Sequence, residues 1–429
     1  MSRLKFNLFI FILILTYTQG LWERLIGIDS VLPQFILEFF VILFIIFEFK
    51  IPIIIKGKLI FFLIIIISIL SAFYNENLII DAFLFLRYFI YSILIYYQLF
   101  YYKLGIQRWI YIFKLLIILI LLQGIGAIYD FVFLGERNEG YVGIMSSSGG
   151  TTASTFPLLI SSLIIFIYFF LKRTKIKSTL LILLLLISVF LLGYSSGKRA
   201  IYFTIPLFFL IIFVISYLKL RSERFFTKKT IGFFIIIIFF TPLLFYGILN
   251  SKGLNYNLNG NESNFQIIEN VILYAEEYES STSDGLTIGR TNTTEKIVEN
   301  LQNNYNLLIF GNGFNSIKDE TTLFKLGVGY GIVGITRDII SVGLIFSIFI
   351  ILEFLILIKG SSTRVTDKFS SSLRFILYIL FLFIHLTYSS DFTVHLKLSL
   401  IIFILLSIVN SPIHKEDYEI LIKRINIAK

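Results

Sequence analysis

Few side chains in this sequence can do chemistry, and most of those are cationic. Lys198 and Arg199 follow Ser195-Ser196-Gly197 in a short link, residues 193–200, between two apolar runs. Backbone N–H groups freed at the mouth of a helix, with two cations beside them, make an anion site suited to phosphate or pyrophosphate. The same pair could instead snorkel to headgroup phosphates. Arg290 follows Gly285-Leu-Thr-Ile-Gly289 and precedes a helical stretch. It is either a solvated loop charge or a cation placed at a glycine-flanked hinge in acidic surroundings. Arg87 lies about nine residues into an apolar run, roughly 13 Å deep at 1.5 Å per residue. A charge at that depth faces a cavity, a substrate or a partner on another helix. Asp81, six residues earlier, falls on a different helix face. His385, Asp391, His395 and Lys397 gather in the turn between the last two apolar runs. Both imidazoles are expected near the surface there, as a base working near neutral pH or as satisfied interfacial side chains.

Other chemistry is excluded or reduced. The chain has no cysteine, so disulfides, thiolate metal sites and a cysteine nucleophile are absent. Three histidines leave little for a His-rich metal site, and neither a metal nor a cofactor is expected. Gly327-Val-Gly-Tyr-Gly331 superficially matches a potassium-channel filter. However, Gly327 stands where threonine is needed, and Asp319-Glu320-Thr321-Thr322 before it is no apolar pore helix. These glycines are expected to allow close backbone approach where a long loop re-enters the membrane.

The elements that must position these residues are apolar helices. Of the 429 residues 57% are hydrophobic and 15% charged, with a mean hydropathy of +0.88; soluble domains are about 45–50% apolar and about 25% charged. Runs such as Leu59-Ile-Phe-Phe-Leu-Ile recur along the whole length, so a soluble enzyme is ruled out. At about 20 residues per crossing, the chain reads as an all-α polytopic membrane protein of about twelve spans. They centre near residues 13, 40, 66, 90, 121, 162, 186, 209, 240, 345, 380 and 401. The first run lacks a small-x-small cleavage site and reads as an uncleaved helix. The net charge of +10 would suggest nucleic acid in a soluble chain. Here 24 of the 37 lysines and arginines fall in loops on one side of the alternating spans. That places both termini in the cytoplasm and calls for no nucleic-acid partner.

Three blocks follow: residues 1–250 with spans 1–9, an outer loop domain at 251–325, and residues 326–429 with spans 10–12 and a cytoplasmic tail. Around the loop, from about 250 to 325, five basic residues stand against ten acidic ones. Ser263-x-x-Gln266 and Asn292-x-x-Glu295 read as capping boxes that open two amphipathic helices. Ile297, Leu301 and Tyr305 share a face of the second. Ser280-Ser-Thr-Ser-Asp-Gly285 between them reads as a flexible joint. No internal repeat supports an inverted-repeat transporter.

Taken together, the span count, the late outer loop and three motifs resemble the O-antigen polymerase and ligase superfamily of bacterial polysaccharide biosynthesis. Those motifs are Gly289-Arg290, then Leu308-Ile-Phe-Gly-Asn-Gly-Phe314, then Gly331-Ile-Val-Gly334 leading into a helix. Tyr194-Ser-Ser-Gly-Lys-Arg-Ala200 is similar to the family's short basic outer link. The resemblance implies glycosyl transfer on the outer face of the bacterial inner membrane, from a sugar linked to undecaprenyl pyrophosphate, with inversion and without nucleotide-sugar or metal. Membrane lipid and a chain-length regulator protein are the further partners it brings. A leaving pyrophosphate needs charge stabilisation more than protonation, and each charge-assisted hydrogen bond contributes roughly 1.5–3 kcal/mol. The catalytic candidates are then Arg199 and Arg290, with His385, His395 or Asp391 as base. Lys198, Arg87, Arg337 and Tyr194 are the substrate-binding candidates. Ligases of the superfamily carry a histidine where this chain has Glu320 and Thr321, which favours a Wzy-type polymerase. A ligase and a lipid-linked oligosaccharide flippase are the alternatives.

Overall fold

A computed structural model describes residues 1–26, 31–50, 57–102, 104–134, 143–145, 282–283, 286–287, 289–329, 331–359, 368–387 and 395–410, with isolated positions between 184 and 242. These residues are mostly helical. The helices are α1 (Arg3–Tyr17), α2 (Gln19–Ile26), α3 (Val31–Ile46), α4 (Lys58–Tyr74), α5 (Ile79–Tyr102) and α6 (Ile106–Leu134), then α7 (Arg290–Asn303), α8 (Tyr305–Ile309), α9 (Glu320–Leu326), α10 (Gly334–Val342), α11 (Leu344–Lys359), α12 (Lys368–Thr387) and α13 (Leu396–Asn410). Among the described residues two stretches, Ile79–Tyr102 and Gln107–Tyr129, are long and apolar enough to cross a membrane. Lys58–Tyr74, Leu32–Ile46 and Leu396–Ser407 are shorter helices of the same composition. Apolar on every side, such helices satisfy their backbone groups internally.

The described helices alternate in direction. At one end Lys5 donates to the Phe47 and Glu48 carbonyls, Tyr102 donates to the Glu48 carbonyl at 2.7 Å, and Arg108 donates to the Met1 carbonyl at 2.9 Å. Asn410 donates to the Leu357 carbonyl and to the Tyr96 hydroxyl. At the other end Tyr17 donates to the Lys397 carbonyl at 2.9 Å, and Ser71 donates to the Phe310 carbonyl. The start of α1 and the ends of α3 and α5 therefore lie opposite the end of α4 and the start of α13. Helix α13 packs along α5 and is buried on all sides from Leu398 to Leu406, the centre of the main core.

Five expected spans coincide with α1, α3, α4, α5 and α6, and the last two with α12 and α13. The one centred near 345 is broken at Gly343 into a short helix, α10, and a longer one, α11. Spans expected near 162, 209 and 240 lie outside the described residues, as does most of the one near 186 and the whole helix expected after Ser263. Of the segment expected as a flexible joint only Thr282 and Ser283 are described, and they pair with Thr287 and Leu286 in an antiparallel ladder; the rest of it lies outside the described residues. The second capping box is corrected. Helix α7 starts at Arg290 with Gly289 as its N-cap, so Asn292 already sits inside the first turn. Tyr305 is 78% exposed and opens α8, so it leaves the apolar face that Ile297 and Leu301 share.

Candidate functional site

The segment after α7 is fastened to the bundle by one turn. In Phe310-Gly-Asn-Gly-Phe314, Gly311 and Gly313 both take positive φ, 66° and 94°. A Cβ on Gly311 would lie 2.5 Å from Ser341 C and Val342 N, and one on Gly313 would lie 2.5 Å from Asn77 Oδ1. Only glycine combines that conformation with so close an approach. The approach serves hydrogen bonding. Asn312 N–H donates to the Ile340 carbonyl at 2.6 Å and Gly313 N–H to the Ser341 carbonyl at 3.2 Å. These are last-turn carbonyls of α10, which have no intrahelical donor. On its other side the turn grips the α4–α5 corner. Ser71 and Asn75 donate to the Phe310 carbonyl at 2.5 and 3.2 Å. Phe314 N–H donates to Asn77 Oδ1 at 3.0 Å, and Tyr74 stacks on Phe310 at 4.5 Å.

A second apolar core lies under this turn. Ile297 of α7, Leu307 of α8, Leu326, Val328, and Ile339 and Ile340 of α10 are all buried together, and the cluster runs across residue 325. Helix α10 is thus clamped from above, while Thr336 closes its first turn by accepting from the Val333 N–H and donating to the Val333 carbonyl, both at 2.9 Å.

On α10, Arg337 and Asp338 are both buried. Arg337 Nη2 lies 3.6 Å from Asp338 Oδ1, and His385 Nε2 of α12 lies 3.9 Å from Asp338 Oδ2. The His385 ring is stacked on Phe381, 5.7 Å between centroids. The expectation of a surface imidazole is corrected for His385, which is fully buried: α12 runs on to Thr387 and packs against α10, so the ring falls inside the helix interface. His395 precedes α13 and its carbonyl accepts from Leu398 and Ser399 N–H. Lys397 turns inward to the Met145 carbonyl at 2.5 Å.

Arg87 finds its partner on another helix. Its Nε lies 3.5 Å from Glu38 Oε1 of α3, its Nη2 donates to the Tyr88 hydroxyl at 2.8 Å, and Gln34 and Tyr88 also donate to Glu38. Arg290 is the first residue of α7, is exposed, and stands on the helix that packs against α10. Of the expected site residues, Arg337 and His385 meet at Asp338, whereas Arg87 stands apart on the α3–α5 pair. Tyr194, Lys198, Arg199 and Asp391 lie outside the described residues. Asp338 was not expected. Its signal is an Arg-Asp pair beside a long apolar run, where any charge points to function.

In the segment of residues 289–328 that the Phe310-Gly-Asn-Gly-Phe314 turn fastens to the bundle, the loop module, Asp319 caps α9. It accepts from Thr321 and Thr322 N–H at 3.3 and 3.2 Å and from both threonine hydroxyls. The hydroxyl bonds from Thr322 and Thr321 hold its carboxyl below the usual range. Among the described residues no three histidine or carboxylate side chains gather into a metal-binding group. No protein-family model matches the chain, and neither a curated protein nor a solved structure aligns with it significantly.

Proposed function

We propose that this chain is a polysaccharide polymerase of the bacterial inner membrane. It joins oligosaccharide repeat units, delivered on undecaprenyl pyrophosphate, at the outer face. One observation carries the reading: a loop module bearing Arg290 is clamped by the Phe-Gly-Asn-Gly turn onto α10, where Arg337, Asp338 and His385 form a charged cluster inside an apolar bundle. Charge buried among apolar helices is costly and marks a site of function by default.

The orientation follows from charge and helix direction together. Lysines and arginines collect in the loops on one side, and the described helices alternate so that Lys5, Lys50 and Arg108 share one end while the module docks at the other. The positive-inside rule makes the first end cytoplasmic and the module's end periplasmic. Twelve spans bring the loop between spans 9 and 10 to that face.

Chemically, a sugar hydroxyl of the acceptor attacks the anomeric carbon of the donor as its bond to pyrophosphate breaks. The leaving pyrophosphate gathers negative charge. Fixed guanidinium groups stabilise that charge without cost of reorganisation at the moment of reaction. Arg290 and Arg337 supply them from α7 and α10, with Arg199 and Lys198 joining from the short link. Attack from the face opposite the leaving group inverts the anomeric centre. Glu320, where a ligase carries histidine, opens α9 on the module's exposed side, and this favours chain growth over transfer to a different acceptor.

Deletion of the gene tests the assignment. A polymerase deletion leaves a single repeat unit on the cell's usual acceptor and removes the long-chain ladder. Long chains stranded on undecaprenyl pyrophosphate would make the protein a ligase, and repeat units held on the cytoplasmic leaflet would make it a flippase.

A further inference from the structure

Helix α8, Tyr305-Asn-Leu-Leu-Ile309, divides its apolar side chains between two directions. Leu307 points into the second core and is fully buried. Tyr305 and Ile309, four residues apart and so on one helix face, turn outward and are 78% and 40% exposed. Exposed apolar side chains carry meaning where they join into one patch, and these two do.

The patch continues onto the bundle. Asn306 accepts from the Tyr74 hydroxyl at 2.7 Å, and the Tyr74 ring stacks on Phe310, directly after α8. At the same α4–α5 corner Phe73 is 64% and Leu78 69% exposed. Ile80 and Leu84, both exposed, carry the row along one face of α5, a helix long and apolar enough to cross a membrane.

The depth of the joint fits this continuity. Phe314, on the far side of the turn, is buried in the main core with its ring 5.3 Å from that of Phe85. Phe85 lies six residues inside α5, about 9 Å from its start at 1.5 Å per residue. A Cβ on Gly343 would lie 2.7 Å from the Ile309 carbonyl, so Ile309 abuts the residue just before α11, and α8 packs on α11. Helix α8 is thus level with the ends of three apolar helices, α4, α5 and α11.

We propose that Tyr305 and Ile309 form a membrane-contact site of the loop module, seated at the boundary between lipid headgroups and acyl chains. Tyrosine suits that boundary, because its ring can lie against acyl chain while its hydroxyl stays wet. The exposed Lys296–Glu299 ion pair on α7, at 2.9 Å, marks a part of the module that faces water. Two side chains would hold a free helix only weakly. Here the turn already tethers the module, so the lipid contact is intramolecular in effect and two side chains suffice. The inference does not rest on the polymerase reading, since a ligase or a flippase would present the same edge to lipid. Under that reading, the contact seats the module at the level of the phosphates of a lipid-linked substrate.

The test uses the full chain in nanodiscs of phosphatidylethanolamine and phosphatidylglycerol. Cysteine can be placed freely, since the chain has none, and each variant is first checked for cooperative thermal unfolding. A nitroxide on Tyr305→Cys or Ile309→Cys is read by power saturation with oxygen, which concentrates in lipid, and with a nickel chelate, which stays in water. Leu84→Cys, exposed on α5, and Glu299→Cys, exposed on α7, set the two ends of the scale. Both module sites should show an oxygen-to-nickel accessibility ratio above that of Glu299→Cys and below that of Leu84→Cys. If Tyr305→Cys does not fold, Ile309→Cys decides the matter alone. A ratio equal to that of Glu299→Cys at either site would overturn the inference and leave the face to a sugar chain or a protein partner. Low access to both reagents would overturn it too, because a second copy of the chain would then cover the face. Neither result touches the polymerase reading, which the gene deletion tests separately.

Discussion

Arg290 and Arg337 differ in what holds them, and their variants should differ accordingly. Arg290 is exposed at the first position of α7, so Arg290→Ala should leave the fold intact and lower polymerisation about 10²–10³-fold, the usual loss of one preorganised donor. Arg290→Lys keeps the charge but not the two-pronged geometry and should be partly defective. Wild-type polymer length and yield from Arg290→Ala, at matched protein level, would remove it from the site. Arg337 faces the Asp338 carboxylate inside the bundle, so Arg337→Ala should lower thermal stability as well as rate, because it strips a buried carboxylate of one partner. Asp319 makes a separate prediction about pH. Its carboxyl is depressed in the folded protein by the threonine hydroxyls. The contribution of that cap is therefore fully present above the unfolded aspartate value, about 3.9, and is lost as pH falls through the lower folded value. Protection of the Leu323 amide, which donates to the Asp319 carbonyl, should survive at pH 5 and fade below about pH 4 after correction for intrinsic exchange. In Asp319→Ala that acid-induced step should be absent.

At the scale of elements, the Phe-Gly-Asn-Gly turn is the joint between module and bundle. Gly311→Ala would put a methyl 2.5 Å from the backbone of Ser341 and Val342 at a φ of 66°, where L residues already lose roughly 1–2 kcal/mol. The turn should release α10, and the cluster below should lose activity although Gly311 touches no charged group. Since no cysteine is present, Tyr74→Cys with Asn306→Cys gives a clean readout, because those side chains meet at 2.7 Å. A short bis-maleimide should link the pair in the parent and fail in Gly311→Ala; equal linking in both would show that the turn tolerates the methyl. Ile297→Ala, deep in the second core, should cost about 2–5 kcal/mol in module stability.

For the whole molecule, apolar runs and basic loops make the bundle legible from the amino-acid sequence, because a membrane leaves the backbone few choices. Lys50→Cys and Asn303→Cys, both exposed, test the orientation. An impermeant thiol reagent on intact spheroplasts should label Asn303→Cys and spare Lys50→Cys; the reverse would place the module in the cytoplasm. The glycines of Phe310-Gly-Asn-Gly-Phe314 are legible as a motif, but the donation from Asn312 and Gly313 N–H to the end of α10 depends on a contact between segments about 30 residues apart. The gap at Gly343 is not legible, since Ile339 to Ile351 reads as one apolar run broken only by small residues. The ladder at Thr282 is hidden for a different reason: a Ser/Thr-rich run looks like a linker. Likewise the partner of Arg87 has to come from another helix, but neither spacing nor composition singles out Glu38.

The most direct measurement of the central claim is a reconstitution. The purified chain in nanodiscs is given a repeat unit linked to undecaprenyl pyrophosphate, with no nucleotide-sugar and no other protein. The account predicts a ladder of lengthened lipid-linked glycans with release of one undecaprenyl pyrophosphate for each unit joined. A repeat unit that stays single while the chain is folded and binds it, or that passes only to a different acceptor, would contradict the account.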